Sequence, residues 1–255
     1  MTNIFIITYT DPTDRWFKAI GSSVNKEELL LKQNFSNRLY QNVQPIWEKN
    51  HQHPFVVGLG TGTLDREKFI FYLKQDYVYL IDYAKLFAIG VEKANNLKIM
   101  TKFAAVLHET LHFEMELHRQ YAAEFGITRA DLEATEPTPI NLAYTSYMRK
   151  VAANGSLAEL VACLLPCAWD YWEIGKLLKS TYGETLATNP YKKWIETYSS
   201  ETFGAGTQWL IDLIDELTIE KSEEELHTIE QHFQITSKYE YLFWEMNEKK
   251  QDWPI

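Results

Sequence analysis

From about residue 26 onward, apolar positions recur at helical spacing in one segment after another. In KEELLLKQNFSNRLYQNVQPIWEKN they predict a helix that Pro45 should kink or break, because its ring removes a backbone donor and crowds the preceding turn. HQHPFVVGLGTGT reads as a loop. Thr63 then serves as N-cap of a long helix, LDREKFIFYLKQDYVYLIDYAKLFAIGVEKA, whose first turn carries Asp65. A further helix is expected over 98–125, stopped at Gly126. PTPINLAYTSYMRKVA forms a shorter one, closed by Asn154 and Gly155. Ser156 and Glu159 give the capping-box spacing that opens SLAELVACLLPCAWDYWEIGKLLKS, with Pro166 in its interior. YKKWIETYSS, TQWLIDLIDELT and a final helix from about Ser222 to Lys250 complete the series. No stretch alternates with period two between hairpin turns, so the pattern predicts an all-α fold. Residues 26–255 read as one domain and residues 1–25 as an extension of unassigned order.

Composition narrows the function. At 255 residues the chain can bury one extended core, and 45% hydrophobic with 14% aromatic residues suggests a ring-lined pocket as well. A net charge of −10 argues against nucleic acid, which needs clustered Lys and Arg. No apolar run reaches membrane-spanning length, and MTNIFIITYTDPTDRW lacks a basic segment ahead of its short apolar patch, so neither membrane insertion nor secretion is expected. The two cysteines, Cys163 and Cys167, sit one turn apart in one predicted helix, which is poor disulfide geometry and fits a reducing, cytoplasmic setting.

Residues 108–118, HETLHFEMELH, contain H-E-x-x-H, the zinc-peptidase pattern of two ligand histidines around a general base. His118 even falls where the longer metzincin pattern puts its third histidine. That pattern needs a glycine to turn the chain back, and Met115 stands in its place among strong helix formers. In a continuing helix His112 and His118 would stand roughly 120° apart around the axis. The helix is then a polar scaffold in which Glu109, His112 and Glu116 pair along it and brace neighbours from behind the pocket. Glu109-x-x-His112 also matches half of a carboxylate-bridged di-iron motif. A second E-x-x-H is missing, with only Glu173 and Glu240 as further carboxylates. GLGTGT, residues 58–63, lacks the Lys-Ser/Thr of a phosphate loop and follows no strand.

LLPCAWDYWEIG is less ordinary. Pro166 should bend or open the helix beside Cys167, and Cys167, Asp170 and Tyr171 share a face at i, i+3 and i+4. On residue type alone a small buried cysteine in a packed helix is the plainer reading. KQDYVYL, however, sets Asp76 and Tyr79 on one face of an aromatic helix, and YEYLFWEM sets Glu240 and Phe243 on another. Carboxylates buried among aromatics acquire shifted pKa values suited to proton transfer. Together these suggest a pocket holding a nucleophile, an acid/base and aromatic walls.

At these residues the chain resembles the TenA/thiaminase II family of aminopyrimidine aminohydrolases. HPFVVGLGTGTL, FYLKQDYVYL, YTSYM, LLPCAWDYWE, KWIETY and YEYLFW occur in the family's order from about residue 30 to the C-terminus. The resemblance implies an all-helical, heme-oxygenase-like fold assembled as a homotetramer, with no cofactor and no metal. It implies hydrolysis of 4-amino-5-aminomethyl-2-methylpyrimidine to the 5-hydroxymethyl compound and ammonia, and of thiamine to the same pyrimidine and its thiazole. Carried over by motif, Cys167 is the nucleophile and Glu240 the proton donor, with Tyr79 close to the thiol and raising its nucleophilicity. Asp76 and Tyr171 bind the aminopyrimidine, Tyr144 and Tyr198 line the pocket, and Phe243 is an aromatic wall. The presence of Cys167 sets the chain apart from the branch that relies on carboxylates alone, while Ala168 and Asp170 carry no assignment. A di-iron oxidase on the same fold and a non-catalytic regulator or pathway partner are the competing readings.

Overall fold

The computed structural model describes residues 34–254, so the proposed boundary after residue 25 and the predicted helical residues 26–33 lie outside it. Among the described residues every regular element is helical and no strand occurs. The elements are α1 (Phe35–His51), α2 (Pro54–Thr61), α3 (Arg66–Lys93) and α4 (Leu97–Glu109), then a π-helical turn (Thr110–Glu114) leading into α5 (Met115–Glu124). They continue with α6 (Arg129–Glu133), α7 (Pro139–Asn154), α8 (Leu157–Tyr182), a 3-10 turn (Leu186–Thr188), α9 (Lys192–Tyr198), α10 (Glu201–Thr218) and α11 (Glu223–Lys249). No described helix is long and apolar enough to cross a membrane.

The capping residues explain most boundaries. Ser156 and Glu159 close the expected box on α8, and Ser222 with Glu225 makes the same box on α11. Gly126, at φ +81°, ends α5 in the left-handed region where a side chain would strain. Four local expectations are corrected. α3 is capped by Asp65, whose carboxylate accepts from the Glu67 and Lys68 amides, rather than by Thr63. The expected loop at 51–63 contains α2, because His53 caps the Phe55 amide, Pro54 occupies the first turn, and Phe55, Val56 and Leu59 are fully buried. α10 begins at Glu201 instead of Thr207, since Gly204 lets the helix press against Trp172, where a Cβ would lie 2.8 Å from the ring. Pro45 and Pro166 both stay inside continuous helices, so neither breaks its element.

α8 is the central element. It packs against α11, α10, α9, α7, α3, α2 and α1, and its stretch from Leu160 to Leu165 is fully buried. Pro166 leaves the Ala162 carbonyl without its usual backbone donor, and burial of this stretch among the surrounding helices keeps the element continuous nonetheless. The Tyr83 hydroxyl, from α3, donates to the Leu164 carbonyl at 3.1 Å. α3, α7, α8 and α11 therefore meet around one interior, the region to which the sequence assigns its candidate residues.

Candidate active site

Five helices deliver the eight expected residues. α3 carries Asp76 and Tyr79, α7 carries Tyr144, α8 carries Cys167 and Tyr171, α9 ends at Tyr198, and α11 carries Glu240 and Phe243. They come together. The Tyr144 hydroxyl donates to Glu240 Oε1 at 2.5 Å, and the Tyr79 ring lies 5.4 Å from Tyr144 and 5.8 Å from Phe243. Tyr171 stands edge-on to Tyr198 at 5.0 Å. The Tyr79 hydroxyl faces the Cys167 thiol and also points at the Met148 sulfur at 4.0 Å.

The same aromatic shell contains residues the sequence did not single out. Trp244 lies stacked between Tyr72 and Tyr171, at 6.0 and 4.9 Å, and its neighbour Trp194 donates from Nε1 to the Tyr72 hydroxyl at 3.0 Å. Tyr72 is one turn before Asp76 on α3 and hydrogen-bonds its carboxyl. An i, i+4 reading of FYLKQDYVYL could have found it.

Electrostatically the site is acidic, buried and without a cation. Asp76 is 5% and Glu240 2% exposed, and among the described residues no Lys or Arg pairs with either. Burial therefore pushes the Glu240 carboxyl up to about 8, opposed in part by the Tyr144 hydrogen bond. Burial and the nearby Glu114 carboxyl raise Asp76 to about 8 as well, with Tyr72 pulling the other way. The Cys167 thiol is raised well above its ordinary value by burial and then by Glu240, while Tyr79 opposes the rise. All three groups are thus driven toward their protonated forms. Cys167, Tyr198 and Glu114 are half-buried. The surface groove of about 840 Å³ beside Lys74, Asp131 and Trp253 contains none of the candidate residues.

Two expectations are corrected. Asp170 does not share the Cys167 environment. It points to α1, where Asn50 Nδ2 and His51 Nε2 bond its carboxylate at 2.6 and 3.0 Å, and it serves to fasten that helix end. Glu109 and His112 do not brace the pocket from behind. Both are exposed, and His112 Nδ1 reaches only the backbone carbonyl of His108 at 3.2 Å. Glu116 pairs with Arg119 and Gln120 on the surface. The inward face of HETLHFEMELH belongs to other residues. Glu114, the last residue of the π turn, and His118 in α5 turn toward α3, with His118 Nε2 2.7 Å from the Leu73 carbonyl and Nδ1 3.6 Å from Asp76 Oδ2. An extra residue in one turn shifts the helical phase, which a regular 3.6-residue projection cannot register. Among the described residues no three His, Cys, Asp or Glu side chains converge as a metal-ligand group, and the H-E-x-x-H side chains point away from the pocket.

A sequence model described as the TENA/THI-4/PQQC family matches residues 40–250. The chain is 47% identical over 220 residues to a protein named aminopyrimidine aminohydrolase from Halalkalibacterium halodurans, covering 86% of this chain and 97% of that one. It is 44% identical over 211 residues to one of the same name from Helicobacter pylori, covering 83% and 97%. Among solved structures, a TenA homologue from P. horikoshii OT3 superposes with a TM-score of 0.78 at 30% identity, over 86% of this chain and all of that one. A domain with a heme oxygenase-like fold from Shewanella denitrificans OS217 matches at a TM-score of 0.67 over 84% and 92% of the two chains. At 16% identity it bears on the fold alone.

Proposed function

The chain belongs to the TENA/THI-4/PQQC family, and from that premise we propose that it is an aminopyrimidine aminohydrolase of thiamine salvage. Its substrate is 4-amino-5-aminomethyl-2-methylpyrimidine, released as the 5-hydroxymethyl pyrimidine and ammonia, and thiamine is cleaved to the same pyrimidine and its thiazole. The observation that carries this reading is the convergence of a thiol, Cys167, with two buried carboxyls, Asp76 and Glu240, inside one aromatic shell.

The chemistry follows from the protonation states. Cys167 Sγ adds to the ring carbon next to C5, forming an S–C bond while the ring nitrogen gains a proton. Glu240 is protonated and close, so it gives that proton and receives the one released from Sγ, and no net charge is created in the apolar interior. The dihydropyrimidine then expels the amine from the C5 methylene, with Glu240 protonating the leaving nitrogen. Water adds to the exocyclic methylene and the thiol departs, restoring the aromatic ring with no change in oxidation state. Tyr144 orients Glu240 through its hydrogen bond. Asp76 and Tyr171 hold the ring edge, Phe243 and Tyr198 flank it, and Tyr79 lowers the cost of forming a thiolate.

The reading includes a cytoplasmic homotetramer. A reducing compartment suits a nucleophile that must stay a free thiol, and both cysteines are unpaired. Self-association is supported by apolar side chains left exposed on the π turn and α5, with Phe113 at 61% and Leu117 at 63%.

The test is to incubate chelator-treated protein with each compound and follow formation of the hydroxymethyl pyrimidine. Turnover is expected to persist, and Cys167→Ser is expected to lower it at least ~10²-fold. Near-normal turnover by Cys167→Ser would end the covalent route, and activity abolished by the chelator would end the metal-free one.

A further inference from the structure

We propose that Glu114, at the end of the π-helical turn, and His118, one turn further on, act as positioning residues that keep Asp76 a neutral carboxylic acid. This acid, rather than a carboxylate, then reads the edge of the aminopyrimidine. The inference rests on the substrate class assigned above and assigns work to two residues outside the expected site.

The geometry begins with His118. Its Nε2 lies 2.7 Å from the Leu73 carbonyl oxygen, which can only accept, so Nε2 carries the hydrogen. In the neutral ring Nδ1 then presents a lone pair, and it faces Asp76 Oδ2 at 3.6 Å. At that distance the acid proton is not tied up in a hydrogen bond, yet a carboxylate oxygen would sit against a lone pair. Glu114, one turn earlier on the same face, is a second, half-buried carboxyl that hydrogen-bonds Thr110 and whose charge raises Asp76. Two carboxyls sharing a dry site do not both ionise. The other groups around Asp76 are Tyr72 on its own helix, Cys167 and Tyr171 from α8, Tyr198 from α9 and Glu240 from α11. None is a cation. Burial also holds His118 near 4 against 8 for Asp76, so the pair stays neutral at physiological pH.

The ligand chemistry matches. A 4-aminopyrimidine edge offers an N–H donor beside the lone pair of ring N3. A carboxylic acid answers with one acceptor and one donor, whereas a carboxylate offers two acceptors and leaves N3 unpaired. A primary amide has the same donor and acceptor pair as the acid and does not titrate.

The experiment is calorimetric binding of the product, 4-amino-5-hydroxymethyl-2-methylpyrimidine, across neutral and alkaline pH. Wild-type affinity is expected to fall about tenfold per pH unit once Asp76 ionises. Asp76→Asn is expected to bind within about threefold of wild type at neutral pH and to lose that dependence. This assigns the titration to Asp76 and not to Glu240. Glu114→Gln and His118→Leu should move the fall to lower pH by about one unit. His118→Gln, whose amide can serve both Leu73 and Asp76, should restore the wild-type profile. Loss of binding in a folded Asp76→Asn would overturn the proposal. So would a pH dependence that survives in it, or a Glu114→Gln profile that superimposes on wild type. Wild-type protein that neither binds nor turns over the pyrimidine would instead overturn the functional reading, and Glu114→Gln decides the question should His118→Leu fail to fold.

Discussion

At the scale of single residues the site is a problem in solvation. Three ionisable groups lie deep with no Lys or Arg partner, so each is driven toward its neutral form, and the proposed mechanism uses the proton held there. The sign of the pH dependence follows. In the proposed mechanism Glu240 and Asp76 act in their protonated forms, so kcat/KM should be flat at neutral pH and fall as pH rises through about 8. Glu240→Gln should lower kcat by ~10²–10⁴-fold, and a kcat/KM that instead rose with pH through that window would contradict the acid role. Asp76, Cys167 and Glu240 stand out in the sequence because a carboxyl or a thiol among aromatics is chemically conspicuous. Tyr72 and Trp244 do not stand out, since a tyrosine or tryptophan in a helical apolar stripe reads as core. Their role depends on which rings they meet across helices.

At the scale of elements, periodicity finds a helix but not its exact phase. A regular helix through HETLHFEMELH would spread its histidines around the axis. The π turn at Thr110–Glu114 instead leaves His108, Glu109 and His112 outside and brings Glu114 and His118 in. Cys167 and Asp170 are three residues apart on one helix and still face different neighbours, the pocket and α1 respectively. Close approach between elements matters as much as phase. A Cβ on Gly175 would lie 2.5 Å from the backbone carbon of Tyr198, so the absence of a side chain is what lets α9 press its last residue into the site. Gly175→Ala is expected to destabilise the fold by about 1–3 kcal/mol and to raise KM more than it lowers kcat, measured by thermal unfolding and steady-state kinetics. An unchanged KM would mean that Tyr198 does not depend on this contact.

At the scale of the whole molecule, exposed apolar residues meet a net charge of −10 that disfavours indiscriminate association. Phe113→Glu combined with Leu117→Glu is expected to reduce the assembled mass by light scattering while leaving thermal unfolding of the subunit nearly unchanged. An unaltered mass would move the interface elsewhere. By itself the sequence determined the helical class, the capping box at Ser156, the start of the last helix near Ser222 and the stop at Gly126. These depend on local hydrogen bonding, on periodicity and on side-chain type, all written in short stretches of chain. Only the tertiary structure decided that HPFVVGLGT folds as a helix, that α8 runs unbroken through Pro166, and that Asp170 fastens α1. Only it turned Glu114 and His118 toward Asp76. The physical reason is that each outcome is set by what packs against the segment: long-range burial outweighs a local penalty of about 1 kcal/mol for a helical glycine or about 3 kcal/mol for a helical proline, and burial without a cation raises a carboxyl above its value in water.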